Sequence, residues 1–163
     1  MSAIFHLSFP VENIPATKRF YIEGLGCEPG REGRGSLILN LGGHQLVAHV
    51  VDEALDPQLG IYPRHFGLTF ETADEWEAIL ERARKHGLMF YQQPKHRFKG
   101  ERIEHRTFFL EDPFHNYLEF KYYVYPSAIF GERQYSQVGD LVEKDKHTLQ
   151  PVDRKGLTRK LDV

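Results

Sequence analysis

The order of elements in this chain occurs twice. A short strand opening on a histidine, His6 in Ile4-Phe5-His6-Leu7-Ser8-Phe9, runs straight into an amphipathic helix and then further strands. The same order returns from His65 in His65-Phe66-Gly67-Leu68-Thr69-Phe70. A unit of this kind covers one face of its sheet with its helix and leaves the other bare, so each copy needs the other. The repetition therefore predicts an α+β fold of two tandem βαβββ modules, about 3–58 and 61–125. Together they form a curved mixed sheet around a cleft lined by strand residues.

Local signals fill in the modules. In the first, the pattern predicts a strand over 3–10, a helix over 12–24 and strands near 36–41 and 44–51. Pro15 falls in the first helical turn, where its missing N–H costs little, and Gly24 and Gly26 suit the helix end. In the second, strand 65–71 leads to helix 73–86 and to strands near 88–93, 105–111 and 116–124. Trp76, Leu80 and Ala83 recur at helical spacing, acids Asp74, Glu75 and Glu77 come early, Arg82, Arg84 and Lys85 come late, and Gly87 closes the helix. A linker containing Pro57 and Gly60 separates the modules. Residues 126–163 are polar, with Lys144-Asp145-Lys146 and Arg154-Lys155, and read as a tail that wraps the domain or is partly mobile.

Several classes of protein are disfavoured. Cys27 is the only cysteine, so no intrachain disulfide forms, and neither a signal peptide nor a membrane span is legible. The chain reads as soluble and cytoplasmic. Lysine and arginine number 21 against 23 aspartates and glutamates, without the basic stripe that grips phosphate backbones, so nucleic acid is not an expected partner.

Three residues carry the chemistry. His6 and His65 hold the same position in the two repeats, so a pseudo-two-fold relation would draw them together. Glu119 stands alone among the apolar and aromatic residues of Asn116-Tyr117-Leu118-Glu119-Phe120-Lys121. Burying an unpaired carboxylate costs several kcal/mol, which usually demands a cation or a change of pKa. A pairing with Lys121 or Arg106 is the uneventful alternative. Two imidazoles and a carboxylate are also the ligand set of a non-haem Fe(II) site with open positions.

The segments His6-Leu7-Ser8-Phe9-Pro10-Val11, Gly43-His44-Gln45-Leu46-Val47-Ala48-His49, Pro63-Arg64-His65-Phe66-Gly67, Arg97-Phe98-Lys99-Gly100-Glu101 and Asp112-Pro113 with Asn116 to Lys121 resemble the vicinal oxygen chelate superfamily. Within it they are most similar to a small extradiol-dioxygenase-like branch related to glyoxalases. The resemblance covers about 3–125. It implies paired βαβββ modules, a homodimer, and a divalent metal on His6, His65 and Glu119. Fe(II) is expected, with Mn, Ni or Zn as substitutes.

A glyoxalase-type isomerase would add a fourth ligand from the last strand of the first module. Aligning Leu46-Val47-Ala48 on Leu118-Glu119-Phe120 puts Val47 at that place, so the fourth carboxylate is missing. Gln45 and His49 share the face of Val47, and His49 suits proton transfer near neutral pH. Arg97 and Lys99 suit an anionic substrate, while Phe109 and Tyr117 suit the pocket wall. The expected reaction is extradiol cleavage of a small chelating aromatic diol by dioxygen. An isomerase or thiol transferase using the same metal site, and a metal-free small-molecule binder, are the alternatives.

Overall fold

A computed structural model describes residues 2–139 of the chain. The part of the expected tail beyond residue 139 lies outside the described residues. The first module runs β1 (His6–Val11), α1 (Ile14–Thr17), a π-helical stretch (Lys18–Gly24), β2 (Glu28–Glu32), β3 (Ser36–Leu41) and β4 (His44–Val50). The second runs β5 (Phe66–Phe70), α2 (Ala73–Lys85), β6 (Phe90–Arg97), β7 (His105–Glu111) and β8 (Tyr117–Tyr123), and a short 3₁₀ turn (Pro126–Ile129) follows. Each module is a four-stranded mixed sheet, ordered β1-β4-β3-β2 and β5-β8-β7-β6, whose first strand pairs in parallel with its last.

Both helices start where the sequence supplies a cap. The Asn13 side chain accepts from the Ala16 N–H at 2.8 Å ahead of Pro15. Thr72 and Glu75 form a reciprocal capping box. The first helix widens after Thr17, and Arg82 of α2 donates to the carbonyls of Gly24 and Glu23 at its end (2.9 and 2.8 Å). Carbonyls at a helix end that lack intrahelical partners are thus satisfied by the other module. On the sheet side, Trp76, Leu80 and Ala83 are buried, and the Trp76 indole N–H donates to the Phe120 carbonyl at 2.9 Å.

The seam between modules is aromatic and polar at once. Phe9 packs against Phe66 and Tyr21, with ring centroids 5.4 and 5.2 Å apart. The turn 112–116 pins the second module to the first. Asp112 accepts from the N–H groups of Phe114 and Asn116, from the Asn116 amide and from the Tyr21 hydroxyl, each at 2.8 Å. The Asn116 amide also donates to the Pro10 carbonyl at 2.9 Å. Burial pushes the Asp112 carboxyl up, and this set of donors opposes that rise. The Tyr21 hydroxyl, wholly buried, is pushed above its ordinary value by burial and by Asp112.

The sheet faces turned away from the helices differ between the modules. On the first, His6, Ser8 and His49 are exposed. On the second, Arg97, His105, Thr107, Phe109 and Tyr117 are buried. Part of the difference is a roof: the chain around 58–64 and 128–139 lies against this second face, with Gln58 reached by the Tyr117 hydroxyl and Gly139 set beside Tyr62 and Arg97.

Candidate metal centre

His65 stands at the entry to β5, and Glu119 lies on β8, paired with Gly67. At Gly67, whose φ is +159°, a Cβ would sit 1.7 Å from the Glu119 carbonyl oxygen. Only glycine lets β5 lie against β8 this closely. Beside it, His65 Nε2 lies 3.2 Å from Glu119 Oε2.

Both side chains are held from behind. His65 Nδ1 lies 2.7 Å from the Ile61 carbonyl, so Nδ1 carries the proton and Nε2 faces the carboxylate. The edge of the His65 ring meets Phe109 at 5.3 Å and Tyr62 at 5.9 Å. The Thr107 hydroxyl donates to Glu119 Oε1 at 2.7 Å, and Lys121 Nζ is 3.1 Å from the same oxygen. Burial alone would raise the Glu119 carboxyl. The His65 hydrogen bond, the Lys121 charge and the bonds from Thr107 and Lys121 instead hold it at about 2. His65 is raised in turn, first by its bond to Glu119 and against the effect of burial.

The donor set suits a divalent cation. An imidazole whose other nitrogen donates to a backbone carbonyl, beside a carboxylate fixed by a hydroxyl, is how metal ligands are commonly oriented. His6 is elsewhere: its Nδ1 is 2.7 Å from Gln45 Oε1 on an exposed edge. Among the described residues, no three histidine, cysteine or acidic side chains gather to hold a metal. One chain thus assembles two of the three expected ligands.

The remaining expected residues fall on different faces. His49 is exposed on β4, on the side of the first sheet that carries Gln45. Its neighbour Val47 pairs with Ser8, just as Glu119 pairs with Gly67, and these two registers place an aliphatic residue where the second module has its carboxylate. Phe109 is buried against His65, and Tyr117 is buried with its ring 4.4 Å from Tyr91. Arg97 is buried and donates to Gln92 at 3.2 Å, while Lys99 is exposed on the turn after β6. Sequence reasoning did not assign Thr107 a role and weighed Lys121 only as an ordinary ion-pair partner. Strand alternation would have placed both on the face of Glu119, since β7 pairs Thr107 with Lys121 and Phe109 with Glu119.

With fold and geometry in view, the class is clear. The chain belongs to the Glyoxalase/Bleomycin resistance protein/Dioxygenase superfamily, whose profile matches residues 3–120. It is 38% identical to a glyoxalase/bleomycin resistance protein/dioxygenase from Alicyclobacillus acidocaldarius, over 78% of this chain and 96% of that one, with a TM-score of 0.74. It also shares its fold with the fosfomycin resistance protein FosX from Listeria monocytogenes (16% identity, 75% and 93% covered, TM-score 0.59). A glyoxalase-related enzyme from Fulvimarina pelagi is similar in the same sense (14% identity, 75% and 88% covered, TM-score 0.56). Among curated proteins none matches. The superfamily includes enzymes, and its members typically bind divalent metals and small molecules and often dimerise. Among the described residues no helix is long and apolar enough to cross a membrane.

Proposed function

We propose that the protein is a metal-dependent dioxygenase acting on a small aromatic diol that chelates through two oxygens, with Fe(II) held by His65 and Glu119 of one copy and His6 of a second. The observation that carries this reading is the His65–Glu119 pair, 3.2 Å apart and fixed by Ile61 and Thr107. It supplies two of the three ligands, and the exposed His6 edge would supply the third. Val47 in the place of a fourth carboxylate favours the dioxygenase over a glyoxalase-type isomerase. Two neutral imidazoles and one carboxylate leave a divalent cation with a net charge of roughly +1 and open positions.

A metal so held would supply Lewis-acid polarisation of both substrate oxygens and, as Fe(II), an electron for dioxygen. The chain's own residues do the rest. Thr107 keeps one lone pair of Glu119 Oε1 occupied and so directs Oε2 toward His65. Phe109 and Tyr117 wall off water beside the imidazole. Lys121, tied to Glu119, is the fixed cation next to the place where an anionic oxygen would arrive. His49, carried on the same sheet face as Gln45, is the group suited to take a proton from the substrate hydroxyl.

Complementation tests the shared site. His6→Ala and His65→Ala each should lose stoichiometric Fe(II) and ring-cleavage activity. Co-expressed, random pairing makes half the dimers mixed, each with one intact site, so about a quarter of wild-type activity should return. Failure of the wild-type protein, made anaerobically, to bind Fe(II) would remove the metal reading. Turnover of methylglyoxal hemithioacetal instead of catechols would favour the isomerase.

A further inference from the structure

His6 and His65 open different modules, yet each ring is held in the same way. His65 Nδ1 lies 2.7 Å from the Ile61 carbonyl, and His6 Nδ1 lies 2.7 Å from the side-chain carbonyl of Gln45. An amide oxygen only accepts, so in both rings Nδ1 carries the proton and the lone pair is left on Nε2. A neutral imidazole binds a cation through its lone pair, and the hydrogen bond made by the other nitrogen decides which atom that is.

The register of the first sheet puts Gln45 where it can do this. Strands β1 and β4 run parallel with His6 abreast of Gln45, and the Gln45 N–H donates to the Phe5 carbonyl at 2.9 Å, which fixes the row. Residues abreast in neighbouring strands share a face, so amide and imidazole stand side by side on the open face of the sheet. The row continues through Asn40 of β3 to Glu28 of β2. Asn40 is already engaged: its amide N–H donates to Glu28 at 2.9 Å, and its side-chain oxygen accepts from the Gly43 N–H at 2.8 Å. Gln45 is the member of the row whose oxygen serves His6. With Val47 matched to Glu119, the place of Gln45 falls to Tyr117 in the second module, where the Tyr117 hydroxyl reaches Gln58 and a linker carbonyl serves the histidine instead. Two unlike groups thus bring both rings to one state.

We infer that Gln45 is the positioning residue of His6, holding its ring as the Nδ1–H tautomer so that Nε2 is kept for a cation shared with a second copy of the chain. This rests on the reading of His6 as the third ligand, and it assigns Gln45 to that ligand rather than to the substrate. Stability is not the reason for such a bond. His6 is exposed, and water would replace the Gln45 oxygen at little cost. What the bond supplies is a fixed ring orientation, a single tautomer and a more basic Nε2. Glutamine does this without charge, so the completed site keeps the net charge that two imidazoles and one carboxylate give it.

The test uses the full-length protein, labelled with ¹⁵N. Long-range proton–nitrogen spectra of the metal-free protein at about pH 8.5, above the ordinary histidine range, show which His6 nitrogen carries the proton, and His6→Ala assigns the signals. Co(II) affinity is read from visible absorption at a protein concentration that keeps the dimer. Wild type should show Nδ1–H at His6. Gln45→Leu, which keeps the bulk and removes the acceptor, should move His6 toward Nε2–H and weaken Co(II) binding about 10–100-fold, with the urea midpoint unmoved. Gln45→Glu, which keeps an acceptor, should retain Nδ1–H and bind Co(II) at least as tightly as wild type. Nε2–H at His6 in the wild type, an Nδ1–H signal that survives in Gln45→Leu, or a Gln45→Leu affinity within about threefold of wild type would each overturn the inference. Failure of the metal reading is distinct: wild type and His6→Ala then bind Co(II) equally or not at all, which withdraws the ligand role of His6 and this inference with it.

Discussion

Replacing Gly67 with alanine tests the link between fold and site most directly. The new Cβ would lie 1.7 Å from the Glu119 carbonyl oxygen, 2.7 Å from its carbon and 2.9 Å from its nitrogen. All three are backbone atoms, so no side chain can swing away. To restore a 3.0 Å approach, β5 must retreat from β8 by about 1.3 Å. Ladder bonds near 2.9 Å then pass beyond hydrogen-bonding range. Losing two or three of them at about 1 kcal/mol each, with a further 1–3 kcal/mol for overpacking, gives a destabilisation of about 3–6 kcal/mol. Against a total of about 5–15 kcal/mol, that should lower the melting temperature by about 10 °C or more. The same retreat pulls His65 off Glu119, so Co(II) binding, used as a spectroscopic substitute, should fall together with the urea midpoint. Thr69→Ala, on the same strand and exposed, should cost less than about 1 kcal/mol. A Gly67→Ala protein within about 1 kcal/mol of wild type, with unaltered Co(II) binding, would refute the close-approach argument.

Tyr21→Phe removes one of four donors to the buried Asp112 and loosens the latch between modules; urea denaturation should show a loss of about 1–3 kcal/mol. Thr72→Ala breaks the capping box of α2 and should cost about 1 kcal/mol, with the circular dichroism of the helix retained to within its first turn. His105 gives the fold a pH dependence. Its folded pKa lies below the ordinary value near 6.5, chiefly through burial. The unfolded chain therefore binds the proton more readily, and the stability associated with neutral His105 is present above about pH 6.5 and lost as pH falls through the folded pKa. A plot of unfolding free energy against pH should decline through that window, and His105→Phe should flatten the decline.

The repeat was legible because its signals are local. Helix α2, with Trp76, Leu80 and Ala83 facing the sheet, occupies Ala73–Lys85 where periodicity places 73–86, and β3 and β7 match their expected spans. Strand β2, Glu28–Glu32, was not legible: its five residues include Pro29 and Gly30, all are exposed, and no alternation marks an edge strand of this kind. In the first helix, Pro15 and the glycines set the ends, while the π-helical widening has no local mark, and Tyr21 within it reaches Asp112 across 91 positions of sequence, which no local pattern encodes. The site divides in the same way. Glu119 is conspicuous as a charge in an apolar strand. His105 carries no mark in sequence, because the segment that lies beside it, residues 128–138, comes from outside the repeat.

That roof also explains why the two histidines that match in the repeat do not match in space. A perfect duplication would give both inner faces the same exposure, but residues 58–64 and 128–139 cover only the second. His65 and Glu119 consequently meet on a covered face, whereas His6 lies on an open one. If the metal site is shared as proposed, cation binding and dimerisation become linked equilibria. A half-site offers two protein ligands and a completed site three, and the dimer holds two such sites, so a cation that binds each site of the dimer more tightly by some factor must tighten the dimer by the square of that factor. Sedimentation measured with and without Zn(II), set beside Zn(II) affinity measured above and below the dimer dissociation constant, gives the two factors independently. Departure from that square relation, or a dimer indifferent to the cation, would place His6 outside the coordination sphere and leave His65 and Glu119 as an ion pair closed by Lys121.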